Sequence, residues 1–232
     1  MKLFGGVYFD QSGLSTSMRG MHMQTELLSV ISENMMGFDK VGYQEKENIV
    51  SSFAEYIGVH AHSVVQNDRV GRLYSTGNNL DFALAKQGYF QYLTPEGIKQ
   101  TRDGRFRLDK DGFLLTQEGY QVLSKSGIPV KINTFVDDIS KIKVDTDGSV
   151  NVFNEETGKM EHASDIAIVT KDGALSDEPD IRQGFVESGN VRLEEQFFNA
   201  IPIRRNFQAN RQMFVMQNDL LNQTIQSLGS SS

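Results

Sequence analysis

The chain contains no cysteine. That excludes disulfides, thiolate chemistry and most structural zinc sites together. A chain without thiols tolerates either redox state and suits passage through an oxidising space in an unfolded form. There is also no run of about eighteen apolar residues, so no segment is expected to span a membrane. Basic charge is not in excess: 23 Lys and Arg against 30 Asp and Glu leave a net charge of -7. No broad positive field is available to hold a polyanion, and nucleic acid is not an expected partner. The stretch from Met1 to Gly20 has a single lysine and no apolar core of leader length. Any route out of the cytoplasm is therefore expected to need no cleaved signal peptide.

Catalytic signatures are missing as well. No phosphate-cradling glycine loop with a following Lys-Ser/Thr occurs, and neither does a dinucleotide fingerprint or a nucleophile elbow. The four histidines are His22, His60, His62 and His162. His60 and His62 would share one side of a strand, but no third ligand stands near them, so a solvated pair is the simpler reading. Asp109-Lys-Asp111-Gly112 and Asp145-Thr-Asp147-Gly148 resemble calcium loops only superficially, because the glycine follows the second Asp directly. They read as β-turns. The expected class is neither an enzyme nor a cofactor or metal protein.

What the sequence does contain is a chain with 38% hydrophobic and 23% charged residues, a globular balance, and a long periodic end. Ala200, Phe207, Phe214, Leu221 and Leu228 recur at every seventh position, with Phe197 and Ile225 at the intervening steps. This period marks a helix that needs a partner along its length. Arg204, Arg211, Gln217 and Asn218 keep the apolar seam narrow. Asn190 reads as the N-cap, and Glu194 and Glu195 suit the positive helix end. Pro202 removes one backbone bond, and the unbroken phase predicts a kink rather than a break. At the other end, Leu14, Met18, Met21, Leu28 and Met35 form a weaker seam, interrupted at Thr25 and Ser32.

The middle reads as strands. Gly97, Gly104, Gly112, Gly119 and Gly127 are spaced by seven or eight residues, most behind an acidic or small polar residue, as tight turns require. Between them lie Tyr89 to Leu93, Phe106 to Leu108, Phe113 to Leu115 and Tyr120 to Leu123. Ser149 to Phe153 and Ile166 to Thr170 continue the pattern beyond Asp147-Gly148. The expectation is a small, irregular, twisted antiparallel meander. The fold class is α+β: a coiled-coil-like α-domain from the two chain ends, 1–45 with 189–232, around a central all-β domain, 76–188, with 46–75 as a linker holding some strand or helix.

Three motifs in order then carry a resemblance. Gly20-Met21-His-Met-Gln24, Ser29-Val30-Ile31-Ser32-Glu33-Asn34 and Gly42-Tyr43 resemble S-G-M-x-x-Q, D-V-I-S-N-N-L-A-N and T-G-F/Y-K. Thr76-Gly-Asn-Asn-Leu80-Asp81-Phe-Ala-Leu84, Gly88-Tyr-Phe90 and Thr101-Arg-Asp-Gly104 resemble T-G-N-P-L-D-V-A-I, G-F-F and T-R-D/N-G. Gly184-Phe-Val-Glu187-Ser188-Gly189-Asn190-Val191 resembles G-x-x-E-x-S-N-V. Glu195, Asn199, Ile201, Arg205, Phe207, Ala209 and Asn210 follow in step with the closing helix motif. These are signatures of the bacterial flagellar basal-body rod protein family. The short interval from Gly42 to Asp81 resembles the proximal-rod type, with the distal-rod type second.

The resemblance implies a structural subunit of a hollow helical tube in the periplasmic rod, transmitting torque and passing exported subunits. It implies as partners further copies of itself, the proximal and distal rod proteins and the flagellar export apparatus, without membrane insertion. The seams and the motifs together nominate Leu14, Met18, Met21, Leu28, Ile31, Asn34, Met35, Phe197, Ile201, Phe207, Phe214, Leu221, Ile225 and Leu228 as subunit-interface residues. Each seam alone buries too little to offset its ordering entropy, so both ends are expected to be largely unordered in an isolated subunit. Two other classes fit less of the chain: a β-rich hydrolase of cell-wall glycan working through a carboxylate pair, and a coiled-coil adaptor unrelated to flagella.

Overall fold

A computed structural model describes residues 3–50, 62–132, 139–155 and 157–229, with the side chains of 3–12, 50 and 62 outside that description. His60, and the side chain of His62, therefore lie outside the described residues. The chain divides into two compact units: residues 1–36, 46–65 and 192–232 form the first, and residues 37–45 and 66–191 form the second.

The first unit contains helix α1 (Leu3–Gly37), helix α2 (Leu193–Gly229) and the paired strands β1 (Lys46–Val50) and β2 (His62–Gln66). Both strands, and strand β3 (Leu73–Ser75), fall in the stretch read from sequence as a linker with some strand or helix. Helix α2 runs unbroken through Pro202, with Glu194 and Glu195 in its first turn. The proline ring supplies no N–H to the preceding turn, and a helix this long absorbs the loss of one bond. Asn190 is not the N-cap. Its side chain is committed elsewhere in the second unit, and the helix begins three residues later.

The second unit is a set of short antiparallel strands. A six-stranded sheet runs in the order β13 (Ile168–Val169), β5 (Tyr89–Thr94), β9 (Gln121–Val122), β8 (Leu114–Leu115), β7 (Arg107–Leu108), with β6 (Gly97–Thr101) also on β5. A three-stranded sheet orders β10 (Ile142–Val144), β11 (Ser149–Asn154) and β12 (Lys159–Asp165), with a register shift between Val150 and Asn151. Two ribbons pair β4 (Phe82–Leu84) with β14 (Ile181–Gln183) and β3 (Leu73–Ser75) with β15 (Phe185–Glu187). One core joins the two sheets and the β4–β14 ribbon: Phe106 meets Phe90 edge-on at 5.2 Å and Phe82 at a tilt at 6.0 Å, and Val150, Val152, Ile166 and Ile181 belong to the same cluster.

Turn chemistry closes the hairpins. Gly112 and Gly148 sit at positive φ, and their N–H groups bond the carbonyls of Asp109 and Asp145. Both Asp-x-Asp-Gly segments are thus turns. Gly104 differs from the other turn glycines. It is not at positive φ; a Cβ there would stand 1.7 Å from the Phe82 carbonyl oxygen and 3.1 Å from the Phe90 ring. Glycine is needed at this position because two backbones touch, not because the turn is left-handed.

Candidate assembly surface

The surface builds from the way α1 meets α2. A Cβ on Gly13 would lie 2.3 Å from the Gln217 amide, and one on Gly20 would lie 2.6 Å from the Asn210 amide. Asn210 Nδ2 donates to Gln24 Oε1 at 3.3 Å, and Asn34 Nδ2 donates to Gln196 Oε1 at 3.2 Å. As numbers rise along α1 they fall along α2, so the helices run antiparallel through these contacts. Low exposure on α2 follows the same row: Leu193, Gln196, Ala200, Ile203, Phe207, Asn210, Phe214, Gln217 and Leu221. On α1 the corresponding row is Gly13, Ser17, Gly20, Gln24, Leu27, Ile31 and Asn34.

Part of this seam is therefore made of amides set over glycine. Glycine lets the α2 side chains reach the α1 backbone. Asn34, only 2% exposed, also accepts from Lys46 N–H at 2.8 Å and donates to the Lys46 carbonyl at 2.9 Å. It fixes the start of β1 to both helices in the manner of a strand partner. Lys46 Nζ pairs with Glu33 beside it.

The α1 seam expected from sequence is displaced by one residue. Leu14, Met21, Leu28 and Met35 are half-buried beside the row that contains the contacts, and Met18 is exposed. The reason is composition: the contacting positions are small or polar and carry no hydrophobic signal. Ile31 and Asn34 are buried. On α2, Phe207, Phe214 and Leu221 are half-buried in the contact row, whereas Phe197, Ile201, Ile225 and Leu228 are exposed. The intervening steps are filled by Gln196, Ile203, Asn210 and Gln217 rather than by Phe197 and Ile225. The seven-residue spacing of these four residues, and of Gly13 and Gly20, was the signal that could have located them.

With the oily seam only partly oily, large apolar side chains remain outside. Ala209, Met213, Met216 and Leu220 share one face at four- and three-residue steps, and Met213, Met216 and Leu220 are 50%, 61% and 54% exposed. Phe197, Phe198, Ile201 and Val215 are exposed as well. Contiguous exposed apolar surface of this kind marks an interaction site.

The second unit holds no comparable chemistry among the described residues. Its most unusual feature is a buried ion pair, Arg102 Nε to Glu187 Oε2 at 2.7 Å, with side chains 1% and 3% exposed. Arg102 also donates to the carbonyls of Gly88, Leu84 and Lys86. Glu187 accepts from Gly71 N–H through its carboxylate and from Gly42 N–H through its carbonyl. Asn190 stitches nearby segments: it accepts from Glu45 N–H and donates to the carbonyls of Asn67 and Arg69.

A cavity of about 190 Å³ is lined by Asp68, Gly88, Tyr89, Arg102, Lys171 and Asp172, among others. Three of its polar groups, Asp68, Tyr89 and Lys171, are paired with one another. Tyr89 Oη donates to Asp68, and Lys171 Nζ contacts both Asp68 oxygens at 3.1 Å. Burial alone would raise the Asp68 carboxyl, but the bonds from Lys171 and Tyr89 outweigh it and hold it below the usual range. Burial, then the Asp68 charge, pushes Tyr89 up. Among the described residues no three His, Cys, Asp or Glu side chains group as a metal site, and no helix is long and apolar enough to cross a membrane.

Known proteins resemble this chain over much of its length. The family model of the flagellar hook protein FlgE/F/G D1 domain matches residues 83–152, inside the second unit. The flagellar basal-body rod protein FlgG of Bacillus subtilis (strain 168) is 31% identical over an alignment covering 65% of this chain and 66% of that protein. The flagellar basal-body rod protein FlgF of Rhizobium meliloti (strain 1021) is 26% identical, covering 95% of this chain and 99% of its own length. FlgF of Mesorhizobium japonicum is 27% identical over 88% and 92%. The family-model match at residues 83–152 and alignments with rod proteins that run almost end to end lead to one conclusion: the chain belongs to the flagellar basal-body rod protein family.

Proposed function

We propose that this chain is a rod subunit that polymerises through residues 1–45 and 189–232 into a hollow helical tube, which transmits torque and passes exported subunits. Residues 76–188 form the outer β domain in this reading, and 46–75 connect the two. The observation that carries it is the exposed apolar face of α2. Helix pairing uses glycines and amides, and Met213, Met216 and Leu220 are left facing solvent. Head-to-tail contact between copies with a rotation that does not close generates a helix. Leu14, Met18, Met21, Leu28, Ile31, Asn34, Met35, Phe197, Ile201, Phe207, Phe214, Leu221, Ile225 and Leu228 belong to the assembly core, the buried ones by fixing the helix pair and the exposed ones by touching neighbours.

The short interval from Gly42 to Asp81 and the end-to-end alignments with FlgF proteins support a proximal, FlgF-type position. The higher identity to a FlgG protein supports the distal position as the second reading. Partners are further copies, neighbouring rod proteins and the export apparatus, in the periplasmic part of the basal body.

The test is sedimentation and electron microscopy of the purified chain, alone and mixed with rod proteins of the same bacterium. Tubes or co-sedimenting polymer are expected, and Leu220→Asp is expected to abolish them with the near-UV circular dichroism of the β unit unchanged. A chain that stays monomeric at high concentration with every rod protein present refutes the reading.

A further inference from the structure

The outward face of α2 is notable for sulfur. Met213 and Met216 are two of its four apolar residues from Ala209 to Leu220, and both are exposed. The chain has no cysteine, so no thiol competes for an oxidant. Methionine is then its most easily oxidised side chain. Three other methionines, Met21, Met23 and Met35, are half-buried on α1.

From this we infer that Met213 and Met216 form an oxidation-sensitive patch that decides whether the subunit can assemble; the inference rests on the assembly reading above. A hydroperoxide delivers one oxygen atom to a sulfur lone pair. The O–O bond breaks, the S–O bond of the sulfoxide forms, the thioether is oxidised, and the peroxide is reduced to water or an alcohol. The product replaces a flexible apolar group by a strong acceptor with no donor of its own. Covering it with a neighbouring apolar helix buries that acceptor unpaired, which opposes association. Oxidation blocks the free subunit. Once the face is covered, the same sulfurs are shielded.

The experiment uses the full chain with and without hydrogen peroxide, followed by peptide mass mapping and sedimentation. Oxidation is expected at Met213 and Met216 ahead of Met21, Met23 and Met35. The concentration needed for assembly is expected to rise about tenfold or more. A Met213→Leu/Met216→Leu variant keeps the face apolar and cannot be oxidised there; it is expected to assemble equally well with or without peroxide, and its far-UV circular dichroism reports that it folds. Oxidised wild type that assembles at the untreated concentration overturns the inference while leaving the assembly reading intact. So does a double variant that loses assembly on oxidation as fully as wild type, because the sensitive sulfur then lies elsewhere, at Met18, Met36 or Met160. Untreated chain that fails to assemble removes both.

Discussion

Replacing Arg102 by methionine is the sharpest probe of the β unit. The substitution keeps length and apolar stem and removes only the guanidinium. It strands the Glu187 carboxylate, 3% exposed, with the Gly71 N–H as its remaining close donor, and withdraws donors from the carbonyls of Leu84, Lys86 and Gly88. Removing one partner of a buried ion pair costs about 3–5 kcal/mol, because the surviving charge stays desolvated. That is a large part of a typical stability of about 5–15 kcal/mol. With a urea slope of about 2 kcal/mol per molar, the unfolding midpoint should fall by about 2 M. The chain has seven tyrosines and no tryptophan, so tyrosine near-UV circular dichroism of the whole chain follows the transition. Arg102→Met/Glu187→Leu, which removes both charges, should recover part of the loss. A midpoint for Arg102→Met within about half a molar of wild type would refute the argument that this pair locks the unit.

Other consequences are open to measurement. Asn34→Ala removes the bonds to Lys46 and Gln196 and should lower the protection of α1 and α2 amides in hydrogen exchange on the assembled polymer by about a hundredfold, roughly 3 kcal/mol; Asn34→Asp, which keeps the acceptor but sets a carboxylate against two oxygens, should do no better. Gly104→Ala should destabilise the β unit by about 3 kcal/mol or more, because the new methyl meets a backbone carbonyl that cannot swing away, whereas Gly97→Ala, at positive φ with nothing nearby, should cost about 1–2 kcal/mol in thermal unfolding. The Ser149 N–H, then its hydroxyl, holds the Asp147 carboxyl below its ordinary 3.8. A depressed carboxyl contributes stability that is complete above 3.8 and disappears as pH falls through the lower folded value. Asp147→Asn should therefore flatten the acid limb of stability against pH, and an unchanged limb would assign it to other groups.

Elements governed by local chemistry were readable from the residues. Asp-Gly and Glu-Gly pairs mark turns because few residues tolerate positive φ, and β5, β8, β9 and β11 lie where the intervening apolar runs put them. Strand β12 was not readable: Lys159, Glu161 and His162 give an edge strand no hydrophobic alternation. The α2 half of the seam announced itself through Ala200, Phe207, Phe214 and Leu221. Its other half did not, since Gln196, Asn210 and Gln217 are buried by geometry that no hydrophobicity template rewards. The same blindness moved the α1 seam by one position. Asn190 looked like a helix cap because its amide suits one, yet distant backbone groups claimed it. Arg102 and Glu187 stand far apart in the sequence, each within a separate motif, and only the fold shows them meeting inside.

The amides between α1 and α2 also act as a check on alignment. Oil is forgiving: a leucine slid by one repeat finds another leucine. Sliding α2 by seven residues along α1 in one direction would set Asn34 opposite Ile203 and Asn210 opposite Leu27, and in the other direction Gln196 opposite Leu27, each polar group against a hydrocarbon it cannot bond. Misaligned pairs would thus be rejected before any neighbour arrives, and every copy would offer the next one the same outer contour.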